Sequence, residues 1–230
     1  MVPHVCLDQH RAAFGQELLP APAPGAADVA GDRLPERGMD PGAVLLALIG
    51  SPNLASRAPV YEQYDSNVQA NTVVPPGHGA AVLRIKGTSK AIVASTDANQ
   101  AVGALDPWLG AALSVAEATR NVSITGARPL GVTNCLNYGD PTRPEAFWQL
   151  AEGVRGLVTG GNVSLYNESP AGAIAPTPEI GVVGLLDDVS VRVNPGFVDA
   201  GDVIVLVGEA MARIAAEELF KCQFGLGGIS

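Results

Sequence analysis

Ala81-Val82-Leu83-Arg84-Ile85-Lys86, Gly87-Thr88-Ser89-Lys90, Ala91-Ile92-Val93-Ala94-Ser95-Thr96: two β-rich runs are joined here by a glycine-containing loop. This pattern predicts a β-hairpin. A hairpin argues against a purely parallel, doubly wound sheet, whose strands are linked by long crossovers. Downstream, helices and strands alternate. Asp106-Pro107 opens a helix, with Asp as N-cap and Pro at the first helical position. Leu109, Leu113, Ala116, Arg120 and Ile124 continue it at near-helical spacing to about Ile124, and Gly126 stops it. Leu130 to Leu136 reads as a buried strand. Pro144 starts a second helix through Phe147, Leu150, Val154 and Leu157. Ile180 to Leu186 is a strand ended by Asp187-Asp188, Val203 to Gly208 is another, and a last helix covers about Met211 to Phe220. The predicted fold class is α+β: a sheet with helices packed on one face.

Outward from this region the chain loses pattern. Residues 1–41 read as a poorly ordered lead-in, with Pro20-Ala21-Pro22-Ala23-Pro24-Gly25 as linker composition. A short helix is expected from Pro41 to Ile49, broken by Ser51-Pro52-Asn53. Residues 42–201 are expected to form one α+β domain, and 202–230 the start of another.

Composition bounds the function. The chain has 230 residues, 47% hydrophobic and 16% charged, with net charge -9. Its pI is near 4.7 and its mean hydropathy +0.21. There is enough apolar material for a core, and no basic run suited to a nucleic-acid backbone. Three cysteines (Cys6, Cys135, Cys222) and three histidines (His4, His10, His78) show neither disulfide nor metal-ligand spacing. No run of about 18 apolar residues predicts a membrane span, and the N-terminus lacks a signal-peptide pattern. The expected setting is cytoplasmic, with no membrane or nucleic-acid partner.

The densest polar stretch is Gly160-Gly161-Asn162-Val163-Ser164-Leu165-Tyr166-Asn167-Glu168. Two glycines let the backbone approach a ligand closely. Amides, hydroxyls and a carboxylate follow at a density that a core does not require, since each buried polar group must be paired. Locally this reads either as a polar turn or as a phosphate or metal site.

Several ordered blocks resemble one family. They include Ser51-Pro52-Asn53-Leu54-Ala55-Ser56-Arg57, Val60-Tyr61-Glu62-Gln63-Tyr64-Asp65 and Thr96-Asp97-Ala98-Asn99. Ala116-Glu117-Ala118-Thr119-Arg120-Asn121, Asn134-Cys135-Leu136-Asn137-Tyr138-Gly139, Gly160 to Glu168 and Pro176-Thr177-Pro178 complete the set. Over about residues 43–208 they resemble the synthetase (large) subunit of phosphoribosylformylglycinamidine synthase, in the N-terminal-type domain of its second tandem copy. The resemblance implies the α+β N-terminal domain of the aminoimidazole ribonucleotide synthetase superfamily, whose sheet is shared with a pseudo-symmetric partner. It also implies an ATP- and Mg²⁺-dependent reaction. The formamide oxygen of formylglycinamide ribonucleotide is phosphorylated, and ammonia from a glutaminase subunit displaces phosphate to give the amidine. Phosphorylation turns a poor leaving group into a good one.

Carried over by position, Asn162 is implied as a Mg²⁺ ligand, Gly161 and Asn134 as nucleotide contacts, and Ser164 as a substrate contact. No catalytic residue is implied in this chain. Asp97 reads as a Mg²⁺ ligand of an auxiliary site. Cys135 reads as a small core residue, and Asn137 and Asp140 as turn formers. The chain departs from the family's pattern at several places. Asn134 replaces an aspartate common among relatives. Gly79 also stands where they carry Asp. Leu157 runs almost directly into the glycine stretch, without the usual remainder of the helix and its loop. The family's first copy, with its catalytic histidines, has no counterpart here. The expectation is a synthetase segment unable to turn over alone, needing the remaining synthetase half, the glutaminase subunit or a homodimer. The alternative is a non-catalytic module that keeps the fold. A kinase of the same superfamily is a third class, but the Ser-Pro-Asn-Leu-Ala-Ser-Arg block does not suit it.

Overall fold

The computed structural model describes residues 40–157, 159–194, 196, 198–203 and 205. These fall into two compact units, one within 65–195 and the other formed by 40–64 with the described residues beyond 195. The smaller unit holds helices α1 (Pro41–Ile49) and α2 (Ala58–Tyr61). Asp40 caps α1 by accepting from the Gly42 and Ala43 amides at 3.3 and 3.0 Å, and Gly50 closes it. The predicted span of this helix is the observed one.

The larger unit is one sheet with helices against it. Its strands are β1 (Thr72–Val74), β2 (Ala81–Arg84), β3 (Ala91–Asp97), β4 (Arg128–Asn137), β5 (Asn162–Ser164), β6 (Glu168–Ser169), β7 (Gly172–Ala173) and β8 (Thr177–Leu186). Helices α3 (Gln100–Leu105), α4 (Pro107–Ser123) and α5 (Pro144–Gly156) connect them. The main sheet runs β1-β2-β3-β8-β4-β5, while β6 and β7 make a separate ribbon. All neighbours in the main sheet are antiparallel except β4 and β5, which are parallel. The predicted hairpin is β2–β3, with Val82 opposite Val93 and Leu83 opposite Ile92.

Strand periodicity divides the sheet into two unlike faces. Val82, Val93, Val182, Ile180 and Leu136 are buried with Ala111, Ala118 and Val122 of α4 and Leu150 and Val154 of α5. On the opposite face Leu83, Ile92 and Val183 remain 43%, 43% and 45% exposed, so no helix among the described residues covers it. The α+β class, with helices on one face, is what the sequence predicts.

Three expectations need correction. The strand read as Leu130–Leu136 is longer, and its first half is not buried: Leu130 is 58% exposed. The three-residue β5 pairs only with Cys135 to Asn137, so the first half of β4 is a sheet edge. Leu157 does not run directly into a strand. Residues 157–161 form a five-residue connection, within the usual range of about 2 to 6 for such units. Cys135 is half-buried rather than core, because it lies on the uncovered face. The expected strand Val203–Gly208 and helix Met211–Phe220 lie outside the described residues, apart from Val203 and Val205.

Tyr138 follows β4 directly and is 1% exposed. Its hydroxyl has no hydrogen-bond partner among the described residues and lies against Gly153 of α5, where an added Cβ would collide with it. Gly153 therefore sits in mid-helix to admit the phenol. Gly153→Ala is expected to destabilise by about 1–3 kcal/mol through overpacking. Tyr138→Phe removes a buried unpaired hydroxyl and is expected to be neutral or stabilising by about 1 kcal/mol. Because the clash is with the hydroxyl, the double variant should recover part of the glycine-substitution loss, a coupling that denaturant titration of all four proteins measures. Strict additivity would remove the explanation.

Candidate functional site

The α5–β5 connection delivers the glycine stretch onto β4. Helix α5 ends at Gly156, and the chain turns through Thr159 and Gly160 to enter β5 at Asn162. The parallel register sets Cys135 beside Asn162 and Asn137 beside Ser164. Gly161 thus lies against Asn134, so closely that a Cβ at 161 would collide with the Asn134 carbonyl and stand 2.6 Å from its nitrogen. Only glycine fits there without moving β4. Asn134 is 6% exposed, and its side-chain amide donates to the Thr159 carbonyl at 2.8 Å. The Thr159 hydroxyl donates to the Val132 carbonyl at 2.8 Å.

The four residues singled out by the sequence are therefore brought together, but not on one face. Asn162 and Ser164 share the uncovered face with Cys135 and Asn137. Asn134 belongs to the helix-covered face with Leu136. The exposed Asn162 amide donates to the Cys135 sulfur at 3.6 Å, which leaves its Oδ1 free of that contact. Ser164 is linked to Asn167, whose amide donates to the Ser164 carbonyl at 2.9 Å and to the Tyr138 carbonyl at 3.1 Å. Tyr166, between β5 and β6, takes φ 60°, and its amide donates to Gly139 at 3.1 Å. Glu168 accepts from the Asp140 amide at 3.1 Å and pairs with Arg143 at 3.2 Å. Asp140 holds its turn as expected, accepting from the Thr142 amide at 2.8 Å. The rest of the polar stretch thus braces the loop, while Asn162 faces outward.

A second polar group lies on the helix side. Asp97, ending β3, meets Glu117 of α4. Burial first, and then the Glu117 charge, push its carboxyl up to about 6, with Arg120 opposing. Asn121, one turn beyond Glu117, donates to the Ser95 hydroxyl at 3.4 Å, which in turn donates to the Gly79 carbonyl at 2.7 Å. A Cβ at Gly79 would stand 3.1 Å from the Asn121 side-chain oxygen, which is why this position has no room for a longer side chain without a shift. Glu117 was not singled out by the sequence reading. Its spacing of four from Asn121 places both on one helix face and was the available signal. Among the described residues no group of three His, Cys, Asp or Glu side chains gathers, and no helix is long and apolar enough to cross a membrane.

Residues 77–186 match the model of the AIR synthase related protein, N-terminal domain. This stretch contains β2 through β8 with the glycine loop, and through it the chain is similar to that domain family. Within that family the similarity is to one subunit. Over 204 residues the chain is 48% identical to phosphoribosylformylglycinamidine synthase subunit PurL of Moorella thermoacetica, covering 84% of this chain and 28% of that protein. The structure of PurLQS from Thermotoga maritima matches with TM-score 0.56 and 34% identity, covering 62% of this chain and 25% of that one. Thermotoga maritima PurL complexed with ATP matches with TM-score 0.53 and 33% identity (62% and 25%). The same protein complexed with FGAR matches with TM-score 0.51 and 35% identity (60% and 24%). The chain spans little more than a quarter of the length of these curated relatives.

Asp97 gives a pH prediction. Its folded-state value lies above the ordinary carboxyl value, so its contribution to stability is full in acid and is lost as pH rises through about 6. Asp97→Asn should abolish that loss. Partial exposure limits the gain over wild type at pH 8 to the order of 1 kcal/mol, with none at pH 4. Urea unfolding across this range tests it, and a difference between the two proteins that does not change with pH would refute the assignment.

Proposed function

We propose that this chain is part of an ATP- and Mg²⁺-dependent synthetase that converts formylglycinamide ribonucleotide to its amidine in purine biosynthesis. Its contribution is one wall of a composite site. The observation that carries this reading is the glycine loop seated on Asn134, with Asn162 and Ser164 projecting together from the uncovered sheet face. Relatives solved with ATP and with FGAR support it. In this reading Gly161 and the loop amides meet the nucleotide phosphates, which backbone N–H groups suit in an acidic protein. Asn134 adds a nucleotide contact. Asn162 offers Mg²⁺ a hard amide oxygen, and Ser164 orients the ribonucleotide. The protein supplies few oxygens at this place, which fits Mg²⁺ because that ion usually keeps phosphate and water ligands. Asp97 with Glu117 is a second, auxiliary place for the ion. When bound, Mg-ATP supplies the phosphoryl group that activates the formamide oxygen.

The proposed domain covers 42–201, follows a lead-in of 1–41 and precedes the start of a further domain at 202–230. The setting is cytoplasmic. Asn162 and Ser164 stand on the face that no described helix covers, and in this reading the opposite wall is supplied by residues outside this domain. The remaining synthetase half, with the glutaminase subunit, fits this need, as does a second copy of the chain.

Calorimetry with ATP, with and without Mg²⁺, tests the reading. Wild type is expected to bind Mg-ATP, and Asn162→Ala to lose about tenfold or more in affinity, with a smaller change for Mg-free ATP. Heat from neither protein would sink the proposal and leave the non-catalytic module. The chain alone is expected to give no ammonia-dependent amidine, and formation of amidine without added subunits would refute the need for a second wall.

A further inference from the structure

We infer that Asn134 is a positioning residue that clamps the glycine loop through its side-chain amide and holds it in the conformation a ligand meets. The inference rests on the nucleotide reading of the loop, but its geometry stands apart from that reading. The Asn134 Nδ2 donates to the Thr159 carbonyl at 2.8 Å, and a carbonyl can only accept. The amide orientation is therefore set by chemistry. The backbone of the same residue abuts Gly161, so Asn134 grips the connection on both sides of Gly160. The Thr159 hydroxyl ties the loop a second time, to Val132 of the same strand. Beyond the clamp, Asn162 is held in register with Cys135 and by its contact to the Cys135 sulfur.

One consequence follows for the site. The connection has only five residues and carries two adjacent glycines, so without a tether its φ and ψ freedom would spread the loop amides over many orientations. The clamp removes that freedom before a ligand arrives, which lowers the ordering cost of binding. A carboxylate in place of the Asn134 amide would set negative charge against the Thr159 carbonyl and undo the clamp.

The test is amide hydrogen exchange of residues 159–162 in wild type, Asn134→Ala and Asn134→Asp, corrected for intrinsic rates, at pH 5 and pH 8. The amides of β3 and β8 report global folding. Both variants should exchange the loop amides at least about fivefold faster than wild type at pH 8, the effect of one lost hydrogen bond. At pH 5 the aspartate variant should regain protection, because burial against the Thr159 carbonyl raises a carboxyl there well above its ordinary value, and the protonated group again donates to the carbonyl. The alanine variant should not. A merely structural, space-filling role predicts no such difference. Loop protection equal to wild type in both variants, or equal pH behaviour of the two, overturns the inference. In the native chain the Asn134 side-chain NH₂ should itself exchange slowly by NMR, and rapid exchange there overturns it even if the variants fail to fold. None of these measurements needs nucleotide. Failure of Mg-ATP binding with a protected loop would therefore count against the proposed function alone, and an unprotected loop with binding retained against the clamp alone.

Discussion

Strand β8 is the element on which the rest depends. It pairs with β3 from Ile180 to Leu186 on one side and with β4 from Thr177 to Leu185 on the other, Ile92 meeting Leu185 and Cys135 meeting Glu179. These ladders satisfy the backbone groups of a ten-residue strand that is buried at every second position. They also fix register. A slip of one residue would turn Val182 and Ile180 out of the core and Val183 into it. Because β4 is aligned by β8, the Asn134–Asn137 stretch has a fixed position before β5 arrives. The three-residue β5 could not impose its own register, and takes it from β4.

Much of this was legible in the sequence, for local reasons. The hairpin is encoded by alternation and a glycine loop, and α4 by Asp106 and Pro107, whose cap bond to the Leu109 amide is formed at 2.9 Å. Such signals act between near neighbours. The less legible features all depend on distant pairing. Leu130 looks like a core residue from its neighbours, yet it is the unpaired residue where the register with β8 shifts between Pro129 and Gly131. Cys135 has the size of a core residue but the parity of the open face. The separate β6–β7 ribbon and the short β1 carry no strong alternation to announce them. In the candidate site the polar density of 160–168 was visible. The division of labour within it was not, because Asn167 and Glu168 find their partners, Tyr138 and Asp140, more than 20 residues away.

The two-faced sheet explains why polar residues of the same motif have different roles. On the helix-covered face, a polar side chain persists only if it is paired or partly wet. Asn134 meets this condition through Thr159, and Ser95 through Gly79. Asp97 meets it by holding its proton up to about pH 6. On the open face the penalty is smaller, and Asn162 is left exposed. A motif read as one string of polar residues thus separates, by strand parity alone, into groups that hold the fold and groups that a ligand can reach.

That separation bears on the close approach at Gly161. A site for phosphate needs backbone N–H groups held in place, and backbone groups are held by neighbouring backbone more firmly than by side chains, which carry rotamer freedom. Packing Gly161 directly on the Asn134 peptide excludes a side chain between them. The cost is a position that admits no other residue and two adjacent glycines that are flexible when unfolded. The Asn134–Thr159 bond and the β4–β5 register offset that cost at both ends of the loop. Flexibility in sequence and order in structure are compatible here because every residue flanking the glycine pair is fixed to the same strand, and that strand is fixed by β8.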